Sequence, residues 1–463
     1  MHKSKLFQLL SYLTPAEMDR LQDVVDSPVL NKHADVRALF DLLVSGYPDF
    51  SGDAFGKQQL FSALYPGKPF NDLRLRHIAS LLLGLAEKSL VMHEMLSGFH
   101  FNQTLMGVYA RKGLKKHFAA AGRRAERLRG ETSPESHHRA FELGLTNGAF
   151  PGAPAAESQR LAQTHDHLDL FYVTAKLRQA CIHLSRHRLY QADSAPRFLE
   201  ETLQILAQPF QDAPLVLLYR AAIDMQRATD DPAHFTRFKT HLHNFAPQLD
   251  RHLAVELHIL ARNFCIHRIN AGDAAFTRQL FDLYKMALHS GFLTDEDGHI
   301  PAPTFKNIVI NGLKLAEFAE IEAFIHDHAD QLPPDLRADY LHFSLGKLAF
   351  EKGEFREAAR TLQRVRRNDL YLDLDARILL IKVWYKLDEI ELLAAAIQRT
   401  RQFVRRSKVI GYHKENYQNF LKMVEKLGGI RSPQKHAEMA AIVKATEPLT
   451  EKNWLQKELQ ERK

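Results

Sequence analysis

His183 and His187 stand four residues apart in a stretch whose apolar spacing is helical, so both imidazoles would face one side of the helix and could share a metal ion. The hydrolytic form of that arrangement carries a glutamate directly after the first histidine as general base. Here Leu184 follows His183, and no base is supplied locally. With 25 histidines in the chain, pairs at this spacing arise by chance, and the reading is no metal site. Cys181 and Cys265 each precede a histidine by two residues (His183 and His267). Residues two apart on a helix do not face each other, so neither pair makes a Cys–His nucleophile. Both cysteines sit in apolar helical patterns and read as small buried hydrophobes in a reducing compartment, not as a disulfide framework. His326-Asp327-His328 reads as a cap on the last carbonyls of a helix, and His241 and His243 point to different helix faces. Glycine-rich phosphate loops and the Gly-x-Ser-x-Gly elbow are absent from the sequence. The expectation is a non-enzymatic protein with no catalytic residue and no cofactor.

Basic clustering is the one charge feature above background. Between Phe99 and Gly130, Arg111, Lys112, Lys115, Lys116, Arg123, Arg124, Arg127 and Arg129 stand against Glu126 alone, an excess of +7 that equals the net charge of the whole chain. A second run, Arg399, Arg401, Arg405, Arg406 and Lys408, contains no acid, and Arg364, Arg366 and Arg367 precede it. Facing one groove, such residues would neutralise phosphates and give salt-dependent binding. A nucleic-acid or polyanion surface is therefore the second functional reading, carried by Arg111, Lys112, Lys115, Lys116, Arg123, Arg124, Arg127, Arg401, Arg405 and Arg406. Against it, charge runs are usually solvated helix faces, and Tyr109 and Phe118 fit core positions better than base-stacking ones. The start Leu73-Arg74-Leu75-Arg76-His77 would suit a helix entering a DNA groove, but the N-terminal block around it is close to neutral.

The elements that would position these residues are all helical. Thr14-Pro15-Ala16-Glu17 is a capping box with proline at the first helical position. Asn71-Asp72 opens a long helix running to about Glu94. From Phe99 onward the apolar spacing resolves into pairs of helices: Phe101–Arg111 with Leu114–Arg129, His165–His187 with Ala195–Ala207, Pro214–Ala228 with Pro232–Phe245, Arg251–Asn270 with Asp273–His289, and Thr304–Leu315 with Phe318–His328. Asn147–Pro154 and Asp295–Pro303 read as loops. A linking helix at Ile397–Ser407, a helix at Tyr412–Leu427, a turn over Gly428–Pro433 and a charged, frayed segment from Gln434 complete the chain. A chain of 463 residues would ordinarily hold about three domains, but an array of repeats escapes that prior because each unit touches only its neighbours. No apolar run approaches membrane-spanning length, and the basic start leads into another helix instead of a cleavage site, so the expected compartment is the cytoplasm. A pI near 9.1 permits an anionic partner without demanding one.

Asp339–Gln398 is the most regular part. Leu345, Gly346, Ala349, Gly353, Phe355, Ala358 and Leu362 form one hairpin, and Leu380, Trp384, Ile390, Leu393 and Ile397 repeat its apolar positions, with Ile390 lying 35 residues after Phe355. Phe318, with Ile308, Gly312 and Ile321, lies 37 residues before Phe355, so the period drifts upstream. These positions resemble the tetratricopeptide-repeat consensus, although His342 stands where that consensus prefers tryptophan, Val365 replaces a small residue, and Ile381 and Leu393 replace small residues in the next unit. The whole chain resembles a group of uncharacterised bacterial proteins with a helical N-terminal block followed by such repeats, through Ser27-Pro28-Val29-Leu30-Asn31-Lys32 and Phe305-Lys306-Asn307-Ile308-Val309. The repeat resemblance implies a right-handed α-solenoid with a concave face that holds peptides or partner helices. The expected organisation is an all-α chain: a helical block over 1–96, a hairpin solenoid over 97–408, and a capping segment with a charged tail over 409–463. The expected function is a bacterial cytoplasmic scaffold or adaptor whose partner, another protein or peptide segment, meets Lys306, Asn307, Asn311, Lys314, Tyr340, Ser344, Lys347, Arg377 and Lys382 on the first helices of the hairpins.

Overall fold

The computed structural model describes the chain except for residues 1–3, 51, 153, 191–195, 207, 296, 367–368, 407–413, 429–432 and 462–463; at 97, 187–190, 205–206, 208 and 433–434 it describes the backbone alone. Among the described residues every regular element is a helix, and no helix is long and apolar enough to cross a membrane. Residues 1–180 with 196–216 form one compact unit, and residues 181–195 with 217–463 form another.

The first unit opens with α1 (Lys5–Tyr12), α2 (Pro15–Asp26), α3 (Ala34–Val44), α4 (Lys57–Leu64) and α5 (Asp72–Ser97). Leu10, Leu21, Leu39, Phe40, Phe61 and Leu82 share one buried core with Phe50 from the loop after α3. The Thr14 capping box forms as read: Glu17 N–H donates to the Thr14 hydroxyl at 3.3 Å, and Thr14 N–H donates to the Glu17 carboxylate at 2.7 Å. Asn71 caps α5 by accepting from Arg74 N–H at 3.0 Å. Next come α6 (Phe99–Arg111), α7 (Lys115–Arg127), α8 (Pro134–Asn147), α9 (Pro154–Tyr190) and the single turn α10 (Leu199–Glu201). The sequence reading carries no helix over α4, begins α8 only at His138 and begins α9 only at His165. Ser133 supplies the missed signal for α8. Its hydroxyl accepts from Ser136 N–H at 3.0 Å, a capping box built from serine where glutamate is usual.

From residue 214 the helices are α11 (Pro214–Arg227), α12 (Pro232–Phe245), α13 (Arg251–Asn270), α14 (Phe276–His289), α15 (Ala302–Lys314), α16 (Phe318–His328), α17 (Arg337–Glu351), α18 (Phe355–Leu362), α19 (Leu370–Lys386), α20 (Ile390–Arg406), α21 (Lys414–Leu427), α22 (Pro433–Ala445) and α23 (Lys452–Glu461). Consecutive helices pack as hairpins: α13 on α14, α15 on α16, α17 on α18, α19 on α20. The turns of these hairpins share one construction. Gly272, Ala316, Gly353 and Asp388 all adopt positive φ, at 97°, 59°, 82° and 56°. The next residue's N–H reaches back five positions: Asp273 to Arg268 O at 3.0 Å, Glu317 to Gly312 O at 3.0 Å, Glu354 to Ala349 O at 2.9 Å, and Glu389 to Trp384 O at 3.1 Å. This is the Schellman ending, which satisfies carbonyls that a helix otherwise leaves bare.

Two of the hairpins also close over a glycine. A Cβ on Gly346 would lie 2.6 Å from Leu362 Cγ, and one on Gly312 would overlap the Ile321 side chain. The paired helices approach as closely as they do because neither position carries a side chain.

The segment from Gln434 differs from the frayed tail expected. Met439 and Val443 of α22 and Leu455 and Leu459 of α23 join Ile381, Tyr385, Leu393, Ile397, Phe420 and Val424 in one buried core. The apolar residues of α23 form a narrow stripe among lysines and glutamates, so composition hides them. Likewise α20 is a single helix from Ile390 to Arg406, where the sequence suggested a hairpin ending at Gln398 followed by a linker. Most of the expected turn over Gly428–Pro433, and Tyr412, lie outside the described residues.

His258 of α13 is fully buried, with its ring 5.4 Å from that of Phe292 and both ring nitrogens without a hydrogen-bond partner among the described residues. Burial, reinforced by the nearby Arg262 guanidinium, pushes its pKa down to about 4.

Two stability outcomes follow from this architecture. Asp388→Gly relieves a left-handed non-glycine residue and is expected to stabilise the second unit by about 1 kcal/mol, whereas Gly346→Ala overpacks the α17–α18 contact and is expected to cost about 1–3 kcal/mol. Urea unfolding followed through Trp384 and Trp454, both in the second unit, reads both signs. Because the folded-state pKa of His258 lies below its unfolded value, its contribution is complete above about pH 6.5 and is lost as pH falls toward 4, roughly 3 kcal/mol in all. The same titration on His258→Leu is expected to show a correspondingly shallower acid loss, and an unchanged slope would refute the assignment.

Candidate functional site

The C-terminal halves of α15, α17 and α19, with the end of α13, line a cavity of about 1060 Å³ in the second unit; Tyr417 of α21 and one face of α23 complete its wall. Of the lysines that line it, Lys314 of α15, Lys347 of α17 and Lys382 of α19 come from successive first helices, with Lys386 of α19 and Lys457 of α23 beside them. The first three are evenly placed. They lie 33 and 35 residues apart, so the repeat of the hairpins places equivalent ammonium groups along one side.

The most constrained of the three is Lys382. It is buried, and its Nζ donates to Glu451 Oε2 at 2.8 Å while lying 5.1 Å from the centre of the Phe350 ring and 5.2 Å from that of Trp454. An ammonium leaves water on such terms only where a carboxylate and aromatic faces replace its hydration. Burial lowers the Lys382 pKa, with Glu451 opposing and Lys347 adding to the fall. Glu451 is less buried. Burial raises its carboxyl, but the attraction and hydrogen bond of Lys382 and the fields of Lys347 and Lys314 outweigh it and hold the group below its ordinary value. Lys347 Nζ sits 2.6 Å from Glu351 Oε1 and 5.4 Å from the Phe350 ring centre. Further along, Lys386 bridges Glu458 at 2.6 Å and Glu461 at 3.1 Å.

Of the residues expected to meet a partner, Lys314, Lys347 and Lys382 converge on this cavity, and the others are engaged within the chain. Lys306 pairs with Asp375 at 2.5 Å, and Asp375 itself faces the cavity. Asn307 is exposed and bonds to Tyr284. Asn311 and Ser344 are buried. The Tyr340 hydroxyl donates to Asp369 at 3.0 Å. Arg377 pairs with Asp373 at 2.8 Å and lies against the Phe403 ring at 4.5 Å. Sequence reasoning did not single out Glu451, Trp454 or Glu458, because their part depends on where α23 docks.

The two basic runs belong to different units. On α6 and α7, Arg111, Lys112, Lys115, Lys116, Arg123, Arg124 and Arg127 are all exposed. Arg124 Nε donates to Asn102 at 2.8 Å, and Lys115 sits 5.7 Å from the Phe150 ring centre. Lys115 and Arg123 edge a cavity of about 600 Å³ that Glu126, Glu157 and Arg160 also line. In the second unit Arg405 and Arg406 are exposed and Arg401 pairs with Glu425 at 2.7 Å; Arg367 and Lys408 lie outside the described residues. Tyr109 is half-buried and Phe118 buried within the α6–α7 core, as their helical positions suggested.

Burial raises the Cys181 thiol and pushes Cys265 up to about 12, so both stay protonated at neutral pH and neither is a thiolate nucleophile. The His187 side chain lies outside the described residues. Asp295, Asp297 and His299 bring ligand-type atoms within 4.8 Å of one another on the loop before α15; there Asp295 Oδ1 already accepts from the backbone N–H groups of Asp297 at 3.1 Å and His299 at 2.8 Å. Neither a protein-family model, nor a curated protein, nor a solved structure matches the chain.

Lys382→Met removes the donor that ties α23 to α19. Because Glu451 is partly exposed, the expected loss is about 1–2 kcal/mol, below that of a fully buried pair. It should appear as amide exchange of 452–461 accelerated by roughly tenfold or more. Exchange unchanged from the wild type would show that the ion pair does not hold the helix.

Proposed function

We propose that this chain is a non-enzymatic interaction scaffold, a tetratricopeptide-like right-handed α-solenoid of the cytoplasm that holds a segment of a partner protein along the first helices of its C-terminal hairpins. The convergence of Lys314, Lys347 and Lys382 on one cavity of about 1060 Å³ is the observation that carries this reading. A groove that presents ammonium groups at the hairpin repeat, beside Phe343, Phe350 and Tyr417, has the mix of apolar wall and directional charge that captures a peptide or helix. In affinity purification from the source cells, Lys314→Ala with Lys347→Ala is expected to reduce recovery of specific partners by more than tenfold while leaving the circular dichroism intact. Undiminished recovery would remove the groove as the binding surface.

The second reading is polyanion binding. It is favoured by the exposed cations of α6 and α7, whose only nearby acid within the run is Glu126, already paired with Arg129 at 3.1 Å. Retention on immobilised heparin, weakened by Lys116→Ala with Arg123→Ala and Arg127→Ala, would support it. Elution below ~0.15 M salt would exclude it.

A further inference from the structure

We propose that the partner segment of the groove is an acidic, tryptophan-bearing amphipathic helix, and that α23 occupies part of the site as the chain's own version of that ligand. The inference rests on the scaffold reading and names the chemistry of its partner.

The wall that α23 contributes has the form of a bound helix. Trp454, Leu455 and Glu458 fall on one face of α23 by their spacing, and Glu451 immediately precedes its first residue. Each meets a complementary group: Glu451 the Lys382 ammonium at 2.8 Å, Glu458 the Lys386 ammonium at 2.6 Å, and Trp454 the Tyr385 ring at 5.4 Å between centres. Leu455 is fully buried in the core beneath. A helix laid into a groove with apolar anchors on one stripe and charges at its edges is a general mode of peptide recognition.

The groove is nevertheless not saturated by its own tail. Four carboxylates line the cavity, and each is already paired: Glu451 with Lys382, Glu351 with Lys347, Glu458 with Lys386 and Asp375 with Lys306. Lys314 is exposed, and no carboxylate lies within ion-pair distance of it among the described residues. The cavity of about 1060 Å³ persists with α23 in place. The charge complementarity therefore calls for a further carboxylate at Lys314, arriving on a segment that carries it beside an aromatic anchor. Lys452, bonded to Lys444 O at 2.8 Å and Glu447 at 2.6 Å, fixes the turn from which α23 would swing.

The test uses the full chain and a fluorescein-labelled synthetic peptide of residues 447–461, with a scrambled peptide of the same composition as control. In the wild type the tethered α23 competes at an effective concentration on the order of millimolar, so the peptide is expected to bind weakly. Glu451→Gln, which keeps the shape of the side chain and removes its charge, is expected to bind the peptide at least tenfold more tightly, with faster exchange in 452–461. Adding Lys347→Glu is expected to abolish the gain. Trp454→Ala serves as a second release variant if Glu451→Gln does not fold. Equal affinity in wild type and release variants, no binding up to ~1 mM, equal binding of the scrambled peptide, or indifference to Lys347→Glu would each overturn the proposal. So would concentration-dependent dimerisation of the release variant that excludes the peptide, since the occupant would then be α23 of a second copy. Loss of the peptide result with partners still captured through Lys314 and Lys347 would refute only this inference. Partners captured equally without those lysines would refute the scaffold reading beneath it.

Discussion

A helix can be followed at once by an antiparallel neighbour only if its bare carbonyls find donors within the turn, and the C-terminal unit solves this the same way in successive hairpins. Gly272, Ala316, Gly353 and Asp388 take the left-handed conformation, and the following acidic residue's N–H closes the helix end. The chain accepts two non-glycine residues there, at a cost of about 1 kcal/mol each, which shows how strongly the geometry of the turn is demanded. With the turns fixed, Gly312 and Gly346 set how near the second helix comes. Ile381 occupies the next such register, so the third hairpin is spaced by a side chain. Turn and spacing together decide where along each first helix a given residue falls, and hence that Lys314, Lys347 and Lys382 reach one cavity.

Burying Lys382 is the least favourable single step in that arrangement. Hydrophobic packing alone could not offset an unpaired ammonium. The chain answers it with Glu451, with the faces of Phe350 and Trp454, and with a terminal helix whose leucines join the same core. Structure and charge are thus coupled at one point. The segment that completes the hydrophobic core of the unit is the one that neutralises the groove, and it neutralises it only in part.

Much of the helical inventory was readable in the sequence because its determinants are local. The Thr14 capping box, the Asn71 cap, the proline starts at Pro214 and Pro232, and the boundaries of α13 and α16 follow from residues within one or two turns. Failures occurred where the local signal was atypical or masked. Serine stood in for glutamate at the cap of α8, and α23 carried two buried leucines in a segment rich in lysine and glutamate. Helix α20 offered no break that would distinguish one helix from two.

The sequence by itself settled the all-α class and the pairing of helices near Asp339–Gln398. Caps, turns and apolar spacing act over a few residues, and a repeat carries equivalent positions forward unchanged. Only the tertiary structure decided which polar residues of the first helices remain available. Ser344 and Asn311 are buried, and Lys306, Tyr340 and Arg377 are matched by Asp375, Asp369 and Asp373. It also decided that the carboxylate paired with Lys382 comes from Glu451, 69 residues along the chain. A contact of that separation is set by how helices stack on one another, and no local pattern in the sequence encodes it.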